Sequence, residues 1–159
     1  MWCDIHIWAE RKTANGYDVV KGVQFAEGSA PFDWRSYGMF GFLADVRNYS
    51  DVPPLAARRD FPDDASHEVA ENYDSWSGDA HSASWLSVAE LVAFDYDGPV
   101  EDRRVTRQLA HNLWSGGETA DPGEGKMMTW REFLGDQFMA DLEALKACDA
   151  DRVVFWFDN

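Results

Sequence analysis

Cysteine, lysine and long apolar runs are scarce in this sequence of 159 residues, and each scarcity excludes a class of protein. The cysteines, Cys3 and Cys148, lie near opposite ends, so they form neither a short-spaced zinc pair nor a disulfide framework. Basic residues number 14 against 29 acidic ones, and the net charge of −15 argues against a phosphate-binding surface over most of the molecule. No apolar run approaches the length of a membrane span, and nothing resembles a signal peptide.

What the sequence does contain is a chain of domain size that is rich in aromatic residues, including 8 Trp. Its length predicts a single domain, residues 1–159, which buries enough surface to fold without a disulfide or a metal. We expect this domain to be cytoplasmic, with no membrane association and no direct binding of nucleic acid. The acidic excess has two interpretations: it keeps the protein soluble, or it imitates nucleic acid and binds basic proteins.

The N-terminal quarter has the pattern of a hairpin followed by a helix. Alternation of apolar and polar residues predicts a half-buried strand over residues 2–10. Asn15-Gly16 is typical of a primed turn, so a second strand over about 17–25 is expected to return antiparallel. The apolar segment 37–46 then predicts a short buried helix, weakened by two glycines.

The middle of the chain has weaker patterns. Aspartates 63 and 64 are expected to cap a helix over about 65–73, because acidic residues suit the first turn. Residues 74–84 are polar and turn-forming, which predicts a loop. Helical composition over 101–114 predicts a further helix, and the glycine-rich segment 115–128 a mobile loop.

Two capping boxes and a terminal apolar run complete the prediction. Ser87 to Glu90 opens a helix to about residue 94, and Thr129 to Glu132 opens a longer one with strong three- and four-residue periodicity. The run 152–157 is apolar on both faces, which predicts a central strand. Together these elements predict an α+β fold: a small, mostly antiparallel sheet of the N-terminal hairpin and the C-terminal strand, with about four helices on one face.

The first strand carries a polar face that is able to do chemistry. Asp4 and His6 lie two residues apart and point the same way, and Trp8 and Glu10 continue that face. Imidazole with carboxylate is a usual donor set for zinc, manganese or iron, and also a usual acid–base pair. The alternative is the solvent-facing side of an edge strand.

A second cluster repeats the Asp-x-His spacing. Asp79, His81, Ser82 and Ser84 lie in the predicted loop just before a helix, and loops held by rigid neighbours often carry sites. The alternative is that Asp79 and the serines cap local backbone amides while His81 is merely exposed.

Arg47 follows the first buried helix and is a candidate for binding a phosphate or carboxylate through two parallel hydrogen bonds. A structural salt bridge is the alternative in such an acidic chain. His67 and His111 are expected on the surface of helices. The sequence has no Walker loop, no dinucleotide-binding fingerprint and no Gly-x-Ser-x-Gly motif.

Four segments resemble a family of small phage and actinobacterial proteins. These are Cys-Asp-Ile-His at 3–6, Asp-Val-Arg at 45–47, the Asp-x-His-Ser-x-Ser-Trp-Leu pattern at 79–86, and Val-Phe-Trp-Phe-Asp-Asn at 154–159. The chain departs from the family pattern at Ala83, where histidine is expected, and over 95–125. The resemblance implies phage association, hence the host cytoplasm, and a shared polar site rather than a particular reaction.

The first functional hypothesis is a metal-assisted hydrolase of a phosphate-containing small molecule or nucleotide. A divalent metal, zinc or manganese, would be bound by both Asp-x-His clusters, and Glu10 would act as the base. The metal ligands in this hypothesis are Asp4, His6, Asp79 and His81. The catalytic residues are Asp4, His6, Glu10 and His81, and the substrate-binding residues are Trp8, Arg47, Ser82 and Ser84.

The second hypothesis is a non-catalytic, acidic phage counter-defence protein. Its charge of −15 and its many aromatic residues would suit binding to a basic host protein. A related form sequesters a signalling nucleotide without turnover. The hypotheses differ in where function resides, because an enzyme concentrates it in the two clusters and a mimic spreads it over the surface.

Overall fold

The computed structural model of the protein describes residues 2–104 and 119–159. In chain order the strands are β1 (Asp4–Thr13), β2 (Gly16–Val19), β3 (His81–Ser87), β4 (Pro99–Asp102), β5 (Lys126–Thr129) and β6 (Arg152–Asp158). The helices are α1 (Tyr37–Ala44), α2 (His67–Trp76), α3 (Val88–Ala93), α4 (Trp130–Leu134) and α5 (Asp136–Ala147), with a 3-10 turn at Ser77–Asp79. The predicted α+β class is confirmed, and no helix in these two ranges is long and apolar enough to cross a membrane.

The main sheet has the strand order β2-β1-β6-β3, and all its pairs are antiparallel. The prediction that β6 is central is confirmed, because it lies between β1 and β3, and side chains on both of its faces are buried. Val153, Phe155 and Phe157 enter the larger core on one face, whereas Val154 and Trp156 enter a smaller core on the other. The strands β4 and β5 form a separate two-stranded sheet.

The prediction of about four helices on one face of the main sheet is confirmed, and a fifth helix covers the opposite face. Four of the five described helices, α1, α3, α4 and α5, contribute to the larger core. Helix α2 packs on the opposite face, where Val69, Tyr73 and Trp76 contact the smaller core around Trp156. The outward face of β1 also carries Trp8, so this side of the sheet has enough apolar surface to bind a helix.

The hairpin turn is displaced by one residue from its predicted position. Thr13 pairs with Gly16, which places Ala14 and Asn15 in the turn, and neither of them has a positive φ. A primed turn needs positive φ at both central residues, so this turn is of another type, and Gly16 instead adopts a φ of 130° as β2 begins. Strand β2 is also shorter than predicted.

Other local predictions fail where a tertiary partner decides the structure. Residues 81–84 belong to β3 rather than to a loop, because they pair with β6. Residues 101 and 102 end β4, so the predicted helix over 101–114 is wrong there, and its remainder from 105, with His111, lies outside the described residues. Likewise, residues 126–128 of the predicted mobile loop belong to β5, and 115–118 are not described.

The predicted helix starts are more accurate. Both capping boxes are present, with Ser87 at the start of α3 and Thr129 at the start of α4. The predicted long final helix is divided at Gly135, whose φ of 92° suits glycine and separates α4 from α5. The N-cap of α2 is Ser66 rather than an aspartate, because its hydroxyl reaches the Val69 amide.

The segment between β2 and α1 is held in place by a buried carboxylate on α5. Asp141 is 1% exposed and accepts hydrogen bonds from the backbone amides of Ala26, at 2.7 Å, and Phe32, at 2.9 Å. Burial raises the pKa of Asp141, although the two hydrogen bonds counteract this effect. The carboxylate thereby replaces the regular backbone pairing that this segment lacks.

Replacing Asp141 by asparagine is expected to lower the free energy of unfolding by about 1–3 kcal/mol, because an amide offers one oxygen to two amide donors. Chemical denaturation monitored by tryptophan fluorescence measures the change. Asp136→Asn on the exposed first turn of α5 is the control and is expected to have a much smaller effect. Equal stability of the two variants would contradict a structural role for Asp141.

Candidate functional site

A histidine–carboxylate pair lies at one end of the sheet, on the face that α2 covers. His6 Nε2 is 2.6 Å from Asp158 Oδ2, and the two side chains are 24% and 19% exposed. The pair forms because Asp158 lies opposite Asp4 on the neighbouring strand, one pleat away from His6. The ring of His6 is held by Trp76 and Trp156, with centroids 4.1 and 6.0 Å away. A carboxylate so placed orients the imidazole, as in acid–base catalysis.

The second nitrogen of His6, Nδ1, makes no hydrogen bond to residues 2–104 or 119–159. Asp4, the other predicted member of this cluster, instead forms two hydrogen bonds of 2.9 Å with Arg35. The Arg35 guanidinium lowers the pKa of Asp4. Arg35 also stacks on Trp2, with its guanidinium carbon 4.7 Å from the ring centroid. Asp4 is therefore an ionised neighbour of His6 with an ion-pair partner of its own.

A second polar group lies at the same end of the sheet but on the opposite face. His81 pairs with Phe157 of β6, and their rings stack 6.1 Å apart on the side of the larger core. His81 Nδ1 is 2.9 Å from Ser82 Oγ, and Nε2 is 3.3 Å from Asn159 Oδ1. Arg47 donates to the same Asn159 oxygen over 3.3 Å. The structure thus brings three predicted residues, Arg47, His81 and Ser82, together.

Two members of this group have a backbone conformation that is uncommon for residues with a side chain. Arg47 has a φ of 48° and Ser82 a φ of 57°, both in the left-handed region. Ser82 lies in the register shift of β3 between His81 and Ser84, which turns the start of the strand away from regular pairing. Such conformations are frequent at functional sites, where the surrounding structure maintains them.

Consecutive residues connect the two groups. Asp158 contacts His6 on one face of the sheet, and Asn159 contacts His81 and Arg47 on the other. Their Cα atoms are separated by one peptide unit, about 3.8 Å. We call His6, Asp158, His81, Asn159 and Arg47 the sheet-end site.

Asp158 and Asn159 are not among the site residues predicted from the sequence. The feature of the sequence that could have indicated them is that two polar residues directly follow the apolar run of β6. Their partners lie far away in the sequence, so nothing local indicated which residues they contact.

Two predicted site residues have structural contacts instead, and these predictions are corrected. Glu10 is fully buried. One of its carboxylate oxygens lies 2.8 Å from Arg152 Nε, and the other accepts a hydrogen bond of 2.7 Å from the backbone amide of Ser66. Both oxygens are thus occupied, so Glu10 is not placed to act as an exposed base. Ser84 is 2% exposed, and its hydroxyl accepts a hydrogen bond from the backbone amide of Arg59. This hydroxyl therefore stabilises the loop that contains Arg59.

The four predicted metal ligands are not gathered into one group. Asp4 and His6 lie on the α2 face and His81 on the other, while Asp79 is exposed at the end of the 3-10 turn. Within residues 2–104 and 119–159, no group of three or more His, Cys, Asp or Glu side chains has the arrangement of a metal site. The divalent metal stays a prediction.

A cavity of about 420 Å³ adjoins His6 between the sheet, the segment after β2 and α2. Trp8, predicted to bind substrate, forms part of its wall, and Asp33 and Asn72 supply polar groups. Desolvation raises the pKa of Asp33, although the nearby His6 lowers it. The sheet-end site therefore adjoins a space large enough for a small-molecule ligand.

Comparison of the chain with protein-family models finds no match, and neither do searches of curated proteins and of solved structures.

Proposed function

We propose that the sheet-end site binds and hydrolyses a phosphate-containing small molecule or nucleotide. The observation that carries this proposal is the convergence of Arg47 and His81 on one neutral oxygen, Asn159 Oδ1. Among the described residues Arg47 has no carboxylate partner, although the chain carries 29 acidic residues. A guanidinium beside an imidazole is well suited to phosphate oxygens, because its donors form a planar fork.

The pair of His6 and Asp158 supports hydrolysis in addition to binding. His6 would accept a proton from water as the water oxygen bonds to phosphorus. The ester P–O bond then breaks, and the imidazolium returns the proton to the leaving oxygen. Asp158 would hold the ring in position and stabilise its protonated form.

Phosphate binding tests the proposal directly. Replacing Arg47 by glutamine is expected to weaken binding of inorganic phosphate and of p-nitrophenyl phosphate about 10- to 100-fold, since hydrogen bonds to charged groups contribute about 1.5–3 kcal/mol. Arg131→Gln is the matched control, because Arg131 is exposed and pairs with Asp97 on the surface. Isothermal titration calorimetry measures both.

Equal affinities of the two arginine variants would refute the sheet-end site as the phosphate site. Hydrolysis of p-nitrophenyl phosphate is measured in the same preparations with zinc, with manganese and with EDTA. Activity that EDTA abolishes and one of the two metals restores would support the metal-assisted form of the hypothesis. Binding without any turnover would instead favour sequestration of a nucleotide.

The second candidate function is binding to a basic host protein, in keeping with the predicted phage association. It is favoured by the charge of −15 and by the exposure of two large apolar side chains, Trp2 at 60% and Met127 at 62%. In that function the aromatic and acidic surface makes the contacts, and substitutions at the sheet-end site leave the affinity unchanged. Binding would also weaken steeply with salt.

A further inference from the structure

The cavity of about 420 Å³ beside His6 is separate from the proposed phosphate site. Neither Arg47 nor His81 lines it, and both lie on the other side of the main sheet. Its wall combines charged side chains with apolar surface from Val19 and Ala30. The volume lies within the usual range of small-molecule sites and is far larger than a single ion needs.

The charged groups of this wall leave one carboxylate without a counter-charge. Lys21 is the only lysine or arginine among the described residues that line the cavity, and its ammonium group lies 3.1 Å from Glu68. Asp33 also lines the cavity, and within residues 2–104 and 119–159 it makes neither a hydrogen bond nor an ion pair.

The imidazole of His6 does not supply the missing positive charge. It can carry one positive charge at most, and it interacts electrostatically with three carboxylates, those of Asp4, Asp33 and Asp158. Arg35 compensates Asp4, whereas Asp158 lies 2.6 Å from the imidazole and pairs with it directly. Negative charge therefore exceeds positive charge at this end of the cavity, and a cation placed there is attracted.

Buried contacts fix the backbone that carries Asp33. The preceding residue, Phe32, is fully buried, its amide donates a hydrogen bond of 2.9 Å to Asp141, and its ring stacks on Phe138 with centroids 4.3 Å apart. Desolvation raises the pKa of Asp33. A carboxylate that has lost part of its hydration gains more from a cationic partner than a fully hydrated one does.

We infer that this cavity binds a small organic amine in its protonated form, with the ammonium group paired to Asp33 and the carbon chain against the apolar wall. The size and apolar surface of the cavity favour an organic cation over a metal ion. In agreement with this, no group of three or more His, Cys, Asp or Glu side chains in the two described ranges is arranged as a metal site. Amine binding does not depend on the proposed function, because Arg47 and His81 lie on the opposite face.

A diamine and its neutral counterpart test the need for positive charge. Putrescine and 1,4-butanediol share a four-carbon chain and differ in carrying ammonium or hydroxyl groups at its ends. Isothermal titration calorimetry on the full chain is expected to show putrescine bound at one site, at least about 10-fold more tightly than the diol. Asp33→Asn is expected to weaken putrescine binding about 10- to 100-fold, because it removes the charge that pairs with the ammonium group.

The matched control is Asp97→Asn, which removes the same charge from a side chain that is 76% exposed and does not line the cavity. It should keep the affinity for putrescine, and so should Arg47→Gln. Equal weakening by Asp33→Asn and Asp97→Asn would overturn the inference, because it would indicate general attraction to an acidic surface. Equal affinities for putrescine and the diol, or no binding of putrescine at millimolar concentration, would overturn it as well. Phosphate binding in the same preparations tests the proposed function separately.

Discussion

Replacing Arg152 by methionine is expected to lower the free energy of unfolding by about 3–5 kcal/mol, because it leaves a buried carboxylate without its counter-charge. Arg152 is 4% exposed, and its Nε lies 2.8 Å from Glu10, which is fully buried. The guanidinium also reaches Asp64 over 2.9 Å and stacks on Tyr17, with its carbon 3.5 Å from the ring centroid. It thus joins β6, β1, β2 and the loop before α2.

Chemical denaturation of three further variants identifies the cause of that loss. Arg131→Met, on the surface, is expected to cost less than about 1 kcal/mol. The double variant Glu10→Gln/Arg152→Met should be more stable than Arg152→Met alone, because it removes the unpaired charge. If neutralising Glu10 restores no stability, the loss comes from packing around Tyr17 instead, and the single variant Tyr17→Leu should then reproduce it.

The second large effect is expected at His6. Replacing His6 by asparagine should lower kcat for phosphoester hydrolysis about 10²- to 10⁴-fold, the usual contribution of a positioned acid–base group. The KM should change little, because in the proposed arrangement the phosphate is bound by Arg47 and His81. Asp158→Asn should lower kcat as well, since asparagine cannot stabilise the imidazolium.

His67→Asn is the matched control, because this histidine is 87% exposed on α2 and its ion-pair partner, Glu71, is not part of the sheet-end site. Steady-state kinetics of the three variants, with their folding checked by circular dichroism, provide the comparison. A variant of His6 with an unchanged kcat would remove the acid–base step from the proposal. A kcat that falls equally in all three would indicate a general loss of structure.

Much of the local structure follows from patterns that lie within a few neighbouring residues of the sequence. The alternation of Ile5 and Ile7 with His6 and Trp8 predicts β1 correctly, because neighbouring side chains of a strand point to opposite faces. The capping boxes at Ser87 and Thr129 are equally local, since they join residues three positions apart. Strand β6 is recognisable from its continuous apolar run.

The failures have a common physical origin. The start of β3 contains serines and a histidine that favour turns, yet it is a strand because β6 offers it a row of backbone partners. The same applies to Glu10, which resembles an exposed base in the alternating pattern of β1. Its carboxylate is instead bound by the backbone amide of Ser66, a loop residue, and by the guanidinium of Arg152, which is 142 positions away.

For the candidate site, the sequence indicated Arg47, His6, His81 and Ser82 but not their arrangement. The expectation of one metal cluster assumed that the two Asp-x-His motifs point into the same space. The pairing of β1 and β3 on either side of β6, with a register shift at the start of β3, places their histidines on opposite faces. Asp158 and Asn159 then become the link between them.

By itself, the sequence determined the fold class, the starts of the capped helices and the residues that carry polar chemistry, because these depend on spacing within a few positions. Only the tertiary structure decided which polar groups meet. His6 and Asp158 are 152 positions apart, and they come into contact through the pairing of β1 with β6. That register is set by burying apolar side chains on both faces of β6, which is a property of the whole packed chain.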